Sequence, residues 1–262
     1  MTDITYCNNL DLKKDCDSIY KYFPLKYLVS LLESRYLFFN KITSWEDPYE
    51  NFFLKQVFTR TDGTLIDREI IEKCFNGFYG QCWTKEPESD AMWRIYSHFS
   101  LSATHIWDLG NAAIKIKVLR EEIVKQVSAS LKSCSVSLQD VEYLNGANIT
   151  DWLRSLPIIN RRNMVEYILK SLYIKRTEFE HEKEVRLFIH RPSVIGGDKS
   201  NLMVEINPTE LIQEYVVDPR LSESQCNLIE SYLLKLGIDK SKVMKSKLYS
   251  INESTLVVDA QS

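Results

Sequence analysis

Glycine and proline are sparse, eight and seven in 262 residues, and no glycine-rich phosphate loop is present. Neither a Walker pattern nor GxGxxG occurs, which excludes the backbone cradles that hold phosphate in P-loop and dinucleotide-binding folds. No nucleophile elbow presents a serine or cysteine. His181-Glu182 begins a string like HExxH, but the residue four after His181 is Val185, so there is no zincin helix. A Glu/Asp-x-Lys nuclease strand fails as well, because His181 stands two before Lys183. The six cysteines (Cys7, Cys16, Cys74, Cys82, Cys134, Cys226) are scattered, with no CxxC pair and no histidine at ligand spacing. That spacing fits reduced structural thiols better than a disulfide framework or a zinc site. The N-terminus lacks the apolar core of a signal peptide, and no apolar run nears the ~18 residues of a membrane span. A soluble, cytoplasmic protein is expected. A net charge of −3 excludes a general polyanion binder, though not a local basic patch.

What is present is a chain with 44% hydrophobic residues and 11% aromatics, enough for a large core. No repeat, low-complexity tract or linker divides it, so residues 1–262 are expected to form one domain. Ile19 to Phe23 reads as a short strand, and Pro24 opens a helix with Leu28, Leu31 and Leu32 on one face. Tyr36 to Asn40 and Phe78 to Trp83 read as strands, and Leu65 to Phe75 as a helix. Ser89 caps a helix carrying Met92, Ile95, Tyr96 and Phe99 on one face. Asn111 to Val118 ends as a strand, Leu119 to Leu131 continues as helix, and 140–175 reads as a mostly helical insertion. Phe179 to His190 is expected as a strand, joined by a hairpin turn at GGDKSN to LMVEI. EYVVDP and a helix from Ser222 to Leu236 close the chain. Short interspersed elements with late hairpin links predict an α+β fold around a mixed, mostly antiparallel sheet with flanking helices.

Four segments carry candidate chemistry. In YKYF, Tyr20 and Tyr22 share one face of a strand, either as core packing or as two phenols on a site. TSWEDPYE gathers Trp45, Glu46, Asp47 and Glu50 around an Asp-Pro turn, a structural turn before anything else. In FEHEKEVRLFIH, period two sends Val185, Leu187 and Ile189 to the core and Glu182, Glu184, Arg186 and His190 to the opposite face. Phe188, set among those charges, would be wasted on open water, so the charged face reads as the wall of a half-covered cleft. There Arg186 would keep Glu184 ionised. In SDAMWRIYSHF, Met92 suits a buried helix face, while Trp93 and Tyr96 suit either a core or an aromatic platform. His98 and His105 stand alone and take no role.

In this order the segments resemble the bacterial domain-of-unknown-function family numbered 2971. IYKYFPLKYLVSLLESRYLFFNKITSWEDPYE is similar to its N-terminal pattern, and QCWTKEPESDAMWRIYS, KRTEFEHEKEVRLF and EYVVDPRLSE continue the match. Departures are Glu46, where the family tends to have Asn, and Val185, where it tends to have an aromatic residue. A more remote likeness is to toxin-type ADP-ribosyltransferases, with an aromatic first strand, a helix straight after it, and a late strand bearing an essential glutamate. These resemblances imply a bacterial toxin or antiviral (antiphage) defence effector that uses NAD as co-substrate without a metal. They also imply a macromolecular acceptor, nucleic acid or protein, and a partner protein from the same defence locus. Glu184, with Glu182 as its alternate, would carry catalysis together with Tyr22. Tyr22 with Trp93 or Tyr96 would stack on nicotinamide, Tyr20, Arg186, Asp47 and Glu50 would complete the substrate site, and Arg35 would reach the pyrophosphate. Two competing readings are a Mg²⁺ nuclease using Asp47, Glu50, Glu182 and Glu184, and a non-catalytic nucleotide- or partner-binding module.

Overall fold

The computed structural model describes residues 18–45, 47, 49–160, 163–192 and 201–251. The first half of the chain holds β1 (Ser18–Pro24), α1 (Leu25–Ser34), β2 (Tyr36–Lys41), α2 (Arg68–Phe75), β3 (Phe78–Thr84), α3 (Asp90–Tyr96), β4 (Ala113–Leu119) and α4 (Arg120–Ala129). The next stretch holds β5 (Ser135–Asp140), β6 (Glu142–Leu144), α5 (Gly146–Ser155), α6 (Met164–Leu172), β7 (Ile174–Arg176) and β8 (Glu184–His190). β9 (Asn201–Glu205), α7 (Pro208–Leu211), β10 (Ile212–Val217), α8 (Glu223–Lys235) and β11 (Val243–Lys245) complete the order. Among the described residues nine strands share one sheet, antiparallel except where β11 joins β10, and β6 pairs with β7 apart from it. The fold is the expected α+β arrangement. No helix among the described residues is long and apolar enough to cross a membrane.

The sheet forks at β3. One edge of β3 pairs along its whole length with β8. Its other edge meets β1 only at Thr84↔Tyr20, and β2 only at Gly80↔Asn40 and Tyr79↔Lys41. Between those contacts the two arms diverge, and side chains fill the gap. Lys21 Nζ donates to the Cys82 carbonyl at 2.7 Å, and Gln81 Nε2 donates to the Phe38 carbonyl at 2.6 Å. A carbonyl left without a strand partner is thereby satisfied. α1 leaves the fork directly after β1, with Leu25, Leu28 and Leu31 turned to the core. It stops at Arg35, left-handed at φ 60°, whose N–H bonds the Leu31 carbonyl.

Val185, Leu187 and Ile189 enter the main core with Ile19, Trp83 and Ile116, as their alternation requires. Phe188, on the other face, joins a second core with Ile42, Phe53, Phe78 and Leu172. Several expectations need correction. β8 begins at Glu184, because Thr177–Glu182 wind into a 3-10 helix and Lys183 takes a left-handed conformation at φ 42°. Glu182 is therefore not on the strand. β9 pairs with β2 and not with β8, since β3 and β5 already occupy both edges of β8. The expected GGDKSN turn falls, but for Asn201, outside the described residues, as does Glu46. The stretch read as mostly helical holds α5 and α6, yet it opens on β6 and closes on β7. α2 starts at Arg68, where Asp67 accepts the Glu69 N–H. α3 is capped by Ser89 as expected, but it ends at Tyr96 and buries Met92 and Trp93, leaving Ile95 exposed.

Candidate active site

The fork opens a cleft of about 290 Å³. Tyr20, Tyr22 and Lys21 come to it from β1, Tyr27 from the first turn of α1, and Met92 and Tyr96 from α3. Cys82 and Thr84 of β3 line it beside Glu182 and Glu184. Register explains the grouping: Thr84 sits opposite Glu184 on one side and opposite Tyr20 on the other, so the three share a face. Glu182 reaches the same place from the 3-10 helix, which is pinned to β3. The Thr84 hydroxyl donates to the Glu182 carbonyl at 2.6 Å, and the Lys85 N–H to the Lys183 carbonyl at 2.9 Å.

The two carboxylates belong to a network of charges. Glu184 is 3% exposed and accepts from Arg186 Nε at 3.0 Å, Arg186 Nη2 at 3.1 Å and Lys175 Nζ at 3.1 Å. Lys175 also holds Glu182 at 2.6 Å and lies 3.6 Å from Glu50. Arg186, fully buried, spends its remaining reach on the Leu172 carbonyl at 2.6 Å and on Glu50 at 2.6 Å. Burial pushes the Glu184 carboxyl up, but Arg186 and Lys175 outweigh it, so Glu184 titrates below the ordinary glutamate value. At Glu50 burial prevails over Arg186 and Lys175, and its carboxyl is raised. Burial would lower Lys175; Glu184 and Glu182 reverse that and hold its ammonium well above the usual lysine range. Burial, then Cys82, Glu182 and Glu184, push the Tyr96 phenol up to about 12. Lys21 is lowered by burial, against the pull of Cys82 and Glu184.

Of the residues expected at a site, Tyr20, Tyr22, Tyr96, Glu182 and Glu184 line this cleft. Trp93 does not. It is fully buried, with its ring edge-on to Tyr22 at 4.8 Å and its Nε1 donating to Glu88, so it backs the cleft wall and offers no face to a ligand. Arg186 and Glu50 stand behind Glu184, outside the lining. Asp47 accepts the Tyr49 N–H at 2.8 Å and lies 3.9 Å from Arg176, which stacks over Tyr49; its role is to dock a loop. Arg35 is exposed at the far end of α1, about 15 Å along the helix axis from its first turn, and has no part in the cleft. Residues that sequence reasoning missed are Lys175, Lys21, Tyr27, Cys82 and Tyr143, whose hydroxyl accepts the Glu184 N–H at 2.8 Å. Lys21 did carry a signal, since alternation sets it on the apolar side of β1 with Ile19 and Phe23.

Among the described residues no group of three His, Cys, Asp or Glu side chains forms a metal site. Where Glu50, Glu182 and Glu184 converge, the Lys175 ammonium already stands.

No family model matches the chain, so the resemblance to family 2971 is not confirmed, and no curated protein matches it. Among solved structures, Thermus sp. 2.9 DarT in complex with NAD+ is similar at TM-score 0.38 and 12% identity, over 90% of this chain and 98% of that one. The same protein in complex with ADP-ribosylated ssDNA is similar at 0.38 and 12%, over 89% and 95%. Its complex with carba-NAD+ is similar at 0.35 and 11%, over 90% and 98%. Scores this low assign this chain neither fold nor chemistry; its own side chains have to do so.

Proposed function

We propose that the cleft binds NAD+ and cleaves its nicotinamide–ribose bond, as an ADP-ribosyltransferase-like or NAD-cleaving enzyme. One observation carries the reading. Glu182 and Glu184 lie together in a cleft lined by aromatic rings, with Glu184 held ionised by Arg186 and Lys175. Breaking the C–N bond sends its electron pair to the pyridinium nitrogen, so nicotinamide leaves neutral and positive charge develops on the ribose. Water or the acceptor's nucleophile then bonds to that carbon and releases its proton to solvent. A fixed carboxylate beside that carbon stabilises the charge, and it also accepts a hydrogen bond from the ribose 2′-hydroxyl. Glu184 has the fixed geometry for this. Among the described residues Glu182 is held by Lys175 alone, through Oε2, and keeps Oε1 for a ligand. Tyr20 and Tyr96 line the cleft and supply aromatic surface for the nicotinamide. A volume of about 290 Å³ suits the nicotinamide–ribose end and leaves the adenosine end at the open mouth.

A cytoplasmic toxin or antiphage effector is the biological setting we propose, with a nucleic acid or protein acceptor and a partner from the same locus. The test is incubation with NAD+ in Mg²⁺-free buffer. Nicotinamide should be released, and Glu184→Gln should slow release at least about a hundredfold while the protein stays folded. No nicotinamide, together with no thermal protection by NAD+, would sink the proposal.

A further inference from the structure

Glu50 does not line the cleft, yet it is tied to both cations that hold the cleft's carboxylates. Its Oε1 accepts from Arg186 Nη2 at 2.6 Å and lies 3.6 Å from Lys175 Nζ. The loop that carries it is built to hold it there. Trp45 lies over the Arg186 guanidinium at 4.8 Å and beside Phe188 at 5.7 Å. Gly80 makes room for this: a Cβ there would meet the Phe188 ring at 2.5 Å and Trp45 at 2.8 Å. Asn51 Nδ2 donates to the Ile42 carbonyl at 2.9 Å, fixing the residue next to Glu50. The Asp47 turn is docked in the same way, through Arg176 stacked between Tyr49 and Phe179.

We propose that Glu50 is a positioning residue, acting through Arg186 and Lys175 to fix where Glu184 and Glu182 stand and how strongly they accept hydrogen bonds. The inference rests on the reading that these carboxylates act on NAD+. Each cation is shared: Arg186 between Glu184 and Glu50, Lys175 among Glu182, Glu184 and Glu50. With Glu50 neutral, both give their full charge to Glu184 and Glu182, which become weaker acceptors for a ribose hydroxyl. With Glu50 shortened, the charge stays but Arg186 loses its anchor. The groups around this network are Arg186 and Glu184 of β8, Lys175 of β7, Glu182 of the 3-10 helix and Asp47 of the loop. Cys82 of β3, Lys21 of β1, Tyr143 of β6 and Tyr96 of α3 complete it.

The experiment compares full-length wild type, Glu50→Gln and Glu50→Asp by nicotinamide release across pH, with melting curves alongside. Glu50→Gln should move the acid limb of kcat/KM to lower pH, and Glu50→Asp should leave that limb in place. Both should lower kcat about tenfold with KM for NAD+ kept, since displacement near 1 Å already costs up to about a hundredfold. Wild-type kcat and acid limb in both variants would overturn the proposal. So would a loss that merely follows the unfolded fraction and vanishes on cooling. If wild type releases no nicotinamide, the functional reading fails alone. The ¹³C carboxyl shifts of Glu182 and Glu184 at neutral pH then decide, moved by Glu50→Gln if the link exists and unmoved if it does not.

Discussion

The two faces of β8 are equally hidden from water and are held in opposite ways. Val185, Leu187 and Ile189 are fully buried among other apolar side chains. Glu184 and Arg186 are buried just as deeply, but they are held by each other and by named partners on other segments, Lys175, the Leu172 carbonyl and Glu50. Apolar contact is non-directional, so the first face asks only for volume and shape. The second asks for geometry: a buried charge without its partner keeps its desolvation cost and loses its compensation. One strand thus carries a forgiving side that anchors it and an exacting side fixed by charge geometry.

Substitutions matched in volume sharpen that contrast. Arg186→Met leaves Glu184 and Glu50 facing each other with half their cation removed, and should cost about 3–5 kcal/mol. Leu187→Met, one residue away on the other face, should cost less than about 1.5 kcal/mol. Urea unfolding of both measures the difference, and equal losses would break the comparison. Acid is the next lever, and its signs oppose. Glu184 has a lowered pKa, so its contribution is present above the unfolded glutamate value and is lost as pH falls through the folded one. Glu50 has a raised pKa, so its contribution is fullest below the unfolded value and is lost as pH rises through the folded one. Melting temperatures from neutral pH down to acid should therefore fall less steeply in Glu184→Gln and more steeply in Glu50→Gln. The smallest effect belongs outside the network. Arg35→Gly relieves a left-handed residue and should add up to about 1 kcal/mol, with nicotinamide release unchanged. Any change in release would return Arg35 to the site.

The forgiving face was legible in the sequence and the exacting one only in part, for physical reasons. Val185, Leu187 and Ile189 announce themselves because period two is a property of the local backbone. The pairing of Glu184 with Arg186 followed from the same rule. Lys175 stayed hidden because it arrives on a three-residue strand paired only with another of three residues. Glu182 was expected on the strand, and the left-handed Lys183 that removes it leaves no mark an alternating pattern reveals. Trp93 and Tyr96 looked equivalent; which one faces the cleft depends on how α3 is rotated against β1, a tertiary choice. The partner of β9 was misread because a hairpin is the nearest solution, and the edges of β8 had been taken by β3 and β5.

The fork at β3 also sets a timetable for folding. The strand that completes β3 lies about a hundred residues further along the chain, and β4 is comparably distant from β1. Contacts of such span form late and slowly. During synthesis, Tyr20 and Thr84 are made before Glu184 and the cations that hold it, Lys175 and Arg186. A ribosome-bound fragment therefore has aromatic walls without a floor. On the proposed chemistry, the cell making this protein meets no working site until translation is well advanced.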